Sequence, residues 1–125
     1  MARLYCQITG IALLLVGLVG IVYQAPLLPG LLSVQEPAEV ALHLLLGAAA
    51  TYAGFTGGYG RFALLYAKVL GPVYIVLGLV GFVLPDILGL IHLDLGCNLV
   101  HLVLGLWGVW VGYLAARPAE APATP

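Results

Sequence analysis

The chain has 125 residues, of which 63% are hydrophobic and only 7% charged. A soluble domain carries roughly 25% charged residues, so this composition does not cover a water-facing surface, and a membrane is the solvent it fits. A net charge of −1 offers no attraction for nucleic acid, and the length allows one bundle without a separate soluble domain.

The first apolar run, about 4–23, follows Arg3 and has the outline of a signal peptide. It is nevertheless as long as a full span, roughly 20 residues, and its second copy lies mid-chain, so it is expected to remain as a helix. Pro26, Pro29 and Gly30 end it. The second run, about 38–56, opens on Glu36-Pro37. Proline suits the first helical position. Glu36 or Gln35 at the cap and Glu39 in the first turn suit the positive end of the helix dipole. Gly57-Gly58-Tyr59-Gly60 separates it from the third run, about 62–84, which contains Gly71-Pro72. Proline there removes one helical hydrogen bond and predicts a static kink, with a hinge as the alternative. Pro85-Asp86 ends the third run, and Asp94 is the expected N-cap of the fourth, about 96–116. The tail 117–125 reads RPAEAPATP and is expected to be disordered. Backbone groups in lipid must be satisfied within their own segment, so the runs are helices. The expected fold class is therefore all-α: a single transmembrane domain, 1–116, forming an integral membrane four-helix bundle.

The chain is also written twice. Leu4–Val22 (LYCQITGIALLLVGLVGIV) and Leu65–Val83 (LYAKVLGPVYIVLGLVGFV) share 8 of 19 positions at an offset of 61. HLLLG at His43 returns as HLVLG at His101, at an offset of 58. The repeats run about 4–56 and 65–116. Two helices per copy give both copies the same orientation, so a parallel repeat with a pseudo-two-fold axis along the membrane normal is expected, unlike the inverted repeats of many transporters. Arg3, Arg61, Lys68 and Arg117 fall on one side of the predicted topology, while Glu36, Glu39, Asp86 and Asp94 occupy the other. The positive-inside rule then places both termini in the cytoplasm of a multi-pass cell-membrane protein. Cys6 and Cys97 fall near opposite faces, too far apart for a disulfide, which needs Cα atoms within about 7 Å.

Glycines recur at helical spacing: Gly10, Gly17 and Gly20 in the first run, Gly47 and Gly54 in the second, Gly71, Gly78 and Gly81 in the third, Gly105 and Gly112 in the fourth. Small residues let helix backbones approach closely in lipid, where no hydrophobic force drives association. Packing seams are the primary expectation, and self-association through the same faces is the partner arrangement they allow beyond the lipid bilayer itself. Tyr5, Tyr23, Tyr59, Tyr66 and Tyr113 lie near run ends as expected interface anchors. Trp107 and Trp110 are expected to pack or to meet lipid.

His43 and His101 lie inside spans, and an intramembrane ionisable residue is a functional-site candidate. The leading reading makes His43, Asn98 and His101 polar interhelical contacts. A second is bis-histidine haem ligation by His43 and His101, with Gly47 and Gly105 making room for the porphyrin. A third is a metal site from His92, Asp94, Cys97 and His101. No nucleophile–base pair, phosphate-binding loop or zinc-protease signature is present.

Segment Gly89–His92 and the run Asn98-Leu99-Val100-His101-Leu102-Val103-Leu104-Gly105 resemble a bacterial membrane family catalogued as domain of unknown function 4383. The resemblance spans about 4–116 and implies two copies of a helix pair, with Asn-x-x-His opening the second helix of each. It supplies no activity. The first copy departs from it, with Val40 standing where asparagine is expected. The function these readings favour is a non-enzymatic structural or accessory membrane protein, with electron transfer through haem and metal or ion handling near the outer face as alternatives.

Overall fold

The computed structural model describes residues 1–23, 36–56 and 58–115. The expected breaks at Pro26, Pro29 and Gly30, the cap residue Gln35 and the tail from Arg117 lie outside them, as do the side chains of Tyr23 and Tyr59. The chain is a four-helix bundle: α1 (Ala2–Tyr23), α2 (Pro37–Phe55), α3 (Arg61–Val80) and α4 (Leu95–Val109), the last continued by a π-helical turn over Trp110–Leu114. All four are long and apolar enough to cross a membrane. Only about a third of each span is buried within the molecule. The outward residues are large and apolar, among them Leu15, Leu45, Leu65, Val76, Val103 and Leu106. Such a continuous apolar belt is incompatible with water and natural in lipid. This is a small multi-helix membrane protein.

Two antiparallel helix pairs, α1 with α2 and α3 with α4, are each joined through glycine. A Cβ on Gly10 would lie 2.6 Å from the Thr51 backbone nitrogen, and one on Gly54 would lie 2.8 Å from that of Gln7. In the second pair, a Cβ on Gly71 would lie 2.7 Å from Val109 nitrogen, and one on Gly105 would lie 2.6 Å from Ile75 nitrogen. The obstacle in each case is main chain, which cannot rotate away. These four glycines lie against the chain's own neighbouring helices.

The bundle end that carries Ala2 and Leu114, here the terminal end, holds the buried core. Tyr5, Cys6, Ala50, Ala53, Ala63, Tyr66, Ala67 and Val111 form its buried cluster. Tyr5 and Tyr66 are thus core residues and not interface anchors. Each sends its hydroxyl across to the other helix pair: Tyr5 Oη donates to the Leu104 carbonyl (3.2 Å) and Tyr66 Oη to the Leu46 carbonyl (3.2 Å). Trp107 meets Tyr5 edge-on, with ring centroids 5.1 Å apart. The last carbonyls of α2, which have no helical N–H to accept from, receive side chains of α1. Arg3 Nε and Gln7 Nε2 both donate to Gly54 O (3.1 Å each), which also sets a cation at the negative end of that helix dipole.

Pro72 has no N–H, so the carbonyl four residues earlier, on Lys68, loses its helical donor. Tyr113 Oη, carried by the π-helical turn, donates to that carbonyl at 3.0 Å. The irregularity in α3 and the irregularity in α4 therefore answer one another.

The connection between α3 and α4 contains a small antiparallel hairpin, β1 (Asp86–Ile87) paired with β2 (Ile91–His92), which no sequence expectation covered. Leu88 and Gly89 occupy the left-handed region at its tip, with φ of 56° and 68°. The Leu90 N–H closes the turn onto Ile87 O (3.0 Å), and Asp86 Oδ1 accepts from the Gly89 N–H (3.0 Å). At the helix starts, Asp94 caps α4 by accepting from the Cys97 N–H at 3.0 Å. Glu36 holds the cap position of α2 but makes no side-chain capping bond.

Two outcomes test this packing. Gly105→Ala should destabilise the bundle by about 1–3 kcal/mol, the range for overpacking a tight contact. Gly58→Ala has no neighbour within 4 Å of the added Cβ, and should stay within about 0.5 kcal/mol of the parent. Denaturant titration in micelles measures both. Tyr113→Phe should cost about 0.5–1.5 kcal/mol, the worth of one hydrogen bond. In a Pro72→Ala background, where residue 72 regains its N–H, the same change should cost clearly less, a coupling that a double-mutant cycle reads directly. Equal losses in both backgrounds would contradict the pairing.

Candidate functional site

Toward the opposite end, the two helix pairs part around a cavity of about 60 Å³. A single water needs roughly 10–15 Å³ by the same measure, so the space takes a few small groups. Aliphatic side chains make most of its wall: Leu13, Leu42, Leu46, Leu77, Ile91 and Leu93. Five residues with chemical capacity also line it: Glu39 and His43 from α2, Tyr74 from α3, Cys97 and His101 from α4.

The two histidines are held differently. His43 Nδ1 lies 2.7 Å from the Glu39 carbonyl one turn earlier in its own helix. A carbonyl can only accept, so this nitrogen carries the proton, and in the neutral ring Nε2 keeps its lone pair. His101 stacks on Tyr74, with centroids 5.7 Å apart and planes 17° from parallel. Its Nδ1 is buried and has no hydrogen-bond partner among the described residues. Tyr74 Oη is in turn 3.0 Å from Tyr66 Oη. A polar thread thus leads from the cavity into the packed terminal end.

Glu39 does more than favour a helix dipole. It is only 4% exposed, and its Oε1 accepts from the His92 backbone N–H at 2.6 Å. This bond fastens the start of α2 to β2, and with it the hairpin whose neighbours Ile91 and Leu93 close one side of the cavity.

His43, Cys97 and His101 therefore line one cavity. His92 is exposed, Asp94 is engaged as the α4 cap, and Asn98 lies against Gly81, where its side chain occupies the space a Cβ would need. Among the described residues, no three His, Cys, Asp or Glu side chains are grouped to hold a metal ion. This gives no support to haem ligation by His43 and His101 either. Tyr74 escaped the sequence reading, although its signal was present: a hydroxyl-bearing ring at mid-span, at the repeat position where the first copy has Leu13.

No protein-family model, curated protein or solved structure matches this chain.

Glu39→Ala should free the hairpin without unfolding the helices. A hydrogen bond is worth about 0.5–1.5 kcal/mol net, which corresponds to roughly 2- to 10-fold faster amide exchange. Hydrogen–deuterium exchange by mass spectrometry should find that increase over 86–92 while the spans stay protected. Unchanged exchange there would show that Glu39 is not the fastening.

Proposed function

We propose that this is a non-enzymatic accessory or structural protein of the cell membrane, made of two equivalent helix pairs around a pseudo-two-fold axis along the membrane normal, with both termini cytoplasmic. Its small cavity lies in the outer half. In this reading His43, His101 and Asn98 serve interhelical packing, and the resemblance to the uncharacterised four-helix membrane family describes its architecture.

The observation that carries the equivalence is the reciprocal tyrosine contact. Tyr5 reaches Leu104 and Tyr66 reaches Leu46. Adding 61 to the tyrosine of one bond and 58 to the leucine of the other converts each into its partner. The cavity lining pairs in the same way: Leu13 with Tyr74, Glu39 with Cys97, His43 with His101. The packing role is supported by the stack of His101 on Tyr74 and by Asn98 against Gly81. For orientation the support is the distribution of basic residues: Arg3, Arg61 and Lys68 sit at or toward the terminal end, and the hairpin has none.

One preparation tests role and orientation together. Protein purified without a histidine tag from haem-supplemented cells should show no Soret absorption and no stoichiometric metal. A Soret band abolished by His43→Ala or His101→Ala would replace the packing role with haem binding. In intact cells, an impermeant thiol reagent should label Glu36→Cys, exposed at the start of α2, and spare Gly58→Cys. The native cysteines do not compete, since both are buried. The reverse labelling would invert the topology.

A further inference from the structure

The β1–β2 hairpin carries an apolar surface that the bundle does not use. Leu88 at its tip is 88% exposed, and Leu90 beside it is also exposed. The row Val73, Val76 and Leu79 on the outward face of α3 runs into Phe82, Val83 and Leu84, all exposed, and these lead directly into the hairpin. The surface is therefore continuous with the lipid-facing belt.

We propose that the hairpin is a membrane-interface element, with Leu88 and Leu90 entering the headgroup–acyl boundary of the leaflet on that side. The proposal rests on the reading that the four helices span a bilayer, and it holds for either orientation.

Three independent features carry it. The first is the continuity just described. The second is the backbone at the tip. Leu88 has φ of 56°, a conformation that asparagine or glycine adopts far more readily. In water this position would combine an unfavourable backbone with a nearly bare aliphatic side chain, whereas in the interface the side chain has an apolar medium to enter. The third is that four backbone donors of the hairpin and its exit are paired. A backbone that enters lipid must not bring open donors with it. Here the Gly89 N–H goes to Asp86 Oδ1, the Leu90 N–H to Ile87 O, the His92 N–H to Glu39 Oε1 and the Leu93 N–H to Pro85 O. On the side away from lipid, Ile91 and Leu93 line the cavity, while the exposed polar residues Asp86 and His92 face each other in register at the base of the hairpin, away from the Leu88 tip.

The chemistry also names the kind of lipid contact. The segment 82–95 contains no lysine or arginine, so it has no electrostatic attraction to anionic headgroups of the sort that drives polybasic segments. Insertion should proceed in a neutral bilayer through acyl contact alone.

Site-directed spin labelling tests this in phosphatidylcholine vesicles, with Cys6 and Cys97 replaced by alanine. Labels go on Leu88→Cys, on Leu106→Cys as a mid-span reference, and on Gly58→Cys in the opposite connection. Oxygen concentrates among acyl chains and a nickel chelate stays in water. The label at 88 should collide with oxygen in preference to nickel, as the label at 106 does, while the label at 58 shows the reverse. A label at 88 that behaves like the one at 58, with 106 still in lipid, overturns the proposal and leaves the spanning bundle intact. A label at 106 found in water overturns the spanning reading itself. Adding Leu88→Asn, which suits the turn and removes the apolar side chain, should raise nickel access severalfold at a label on Leu90→Cys. No change there would show that Leu88 does not hold the hairpin in the interface.

Discussion

Close approach of main chain to main chain is the constraint on which this bundle depends. Inside lipid, burying one leucine against another gains little over burying it against an acyl chain, so helices associate through contact and polar bonds. Contact at backbone range requires that no Cβ intervene. Gly10 and Gly54 provide this for α1 and α2, and Gly71 and Gly105 for α3 and α4. Between the two helix pairs the means change. Gly108 lies against both Gly71 and the Tyr5 hydroxyl, so the same region of α4 that admits α3 also receives a ring from α1. The molecule is thus built on two levels: glycine within each pair, and tyrosine between pairs.

The tyrosines meet a requirement that glycine cannot. A helix carbonyl has two lone pairs and uses one for its own ladder, so a hydroxyl can donate to the second without unwinding anything. Tyr5 and Tyr66 do this at Leu104 and Leu46. Tyr113 faces a different case, because Pro72 has already removed the helical donor from Lys68 O. Its bond replaces a lost one instead of adding to a complete set. The π-helical turn over Trp110–Leu114 carries Tyr113 to that carbonyl, which gives the irregular end of α4 a structural reason within the protein.

Part of this was legible beforehand because it is local. The four spans and the Asp94 cap follow from run length and cap chemistry. What was not legible depends on relations between distant residues. A tyrosine near the end of an apolar run reads the same whether it meets headgroups or core, and only the approach of the other pair makes Tyr5 and Tyr66 internal. Glu39 in a first turn suits a helix dipole on its own, and nothing local announces that it will accept the N–H of His92, fifty-three residues later. The hairpin was hidden for another reason. Its strands are two residues each, and its turn uses leucine where glycine or asparagine would have signalled it.

The cavity follows from where the repeat stops being exact. At the terminal end Tyr5 and Tyr66 are matched residues, and two large rings fill the space between the pairs, 6.4 Å apart. Two turns farther along, the matched positions are Leu13 and Tyr74. Only one of these supplies a ring, and that ring turns its hydroxyl back toward Tyr66 and its face to His101. The imidazoles, being smaller than tyrosine, leave a gap that the aliphatic wall does not close. The difference between Leu13 and Tyr74 therefore shapes both the space and its chemical character, and Glu39 and the hairpin cover it from the side where the helices begin.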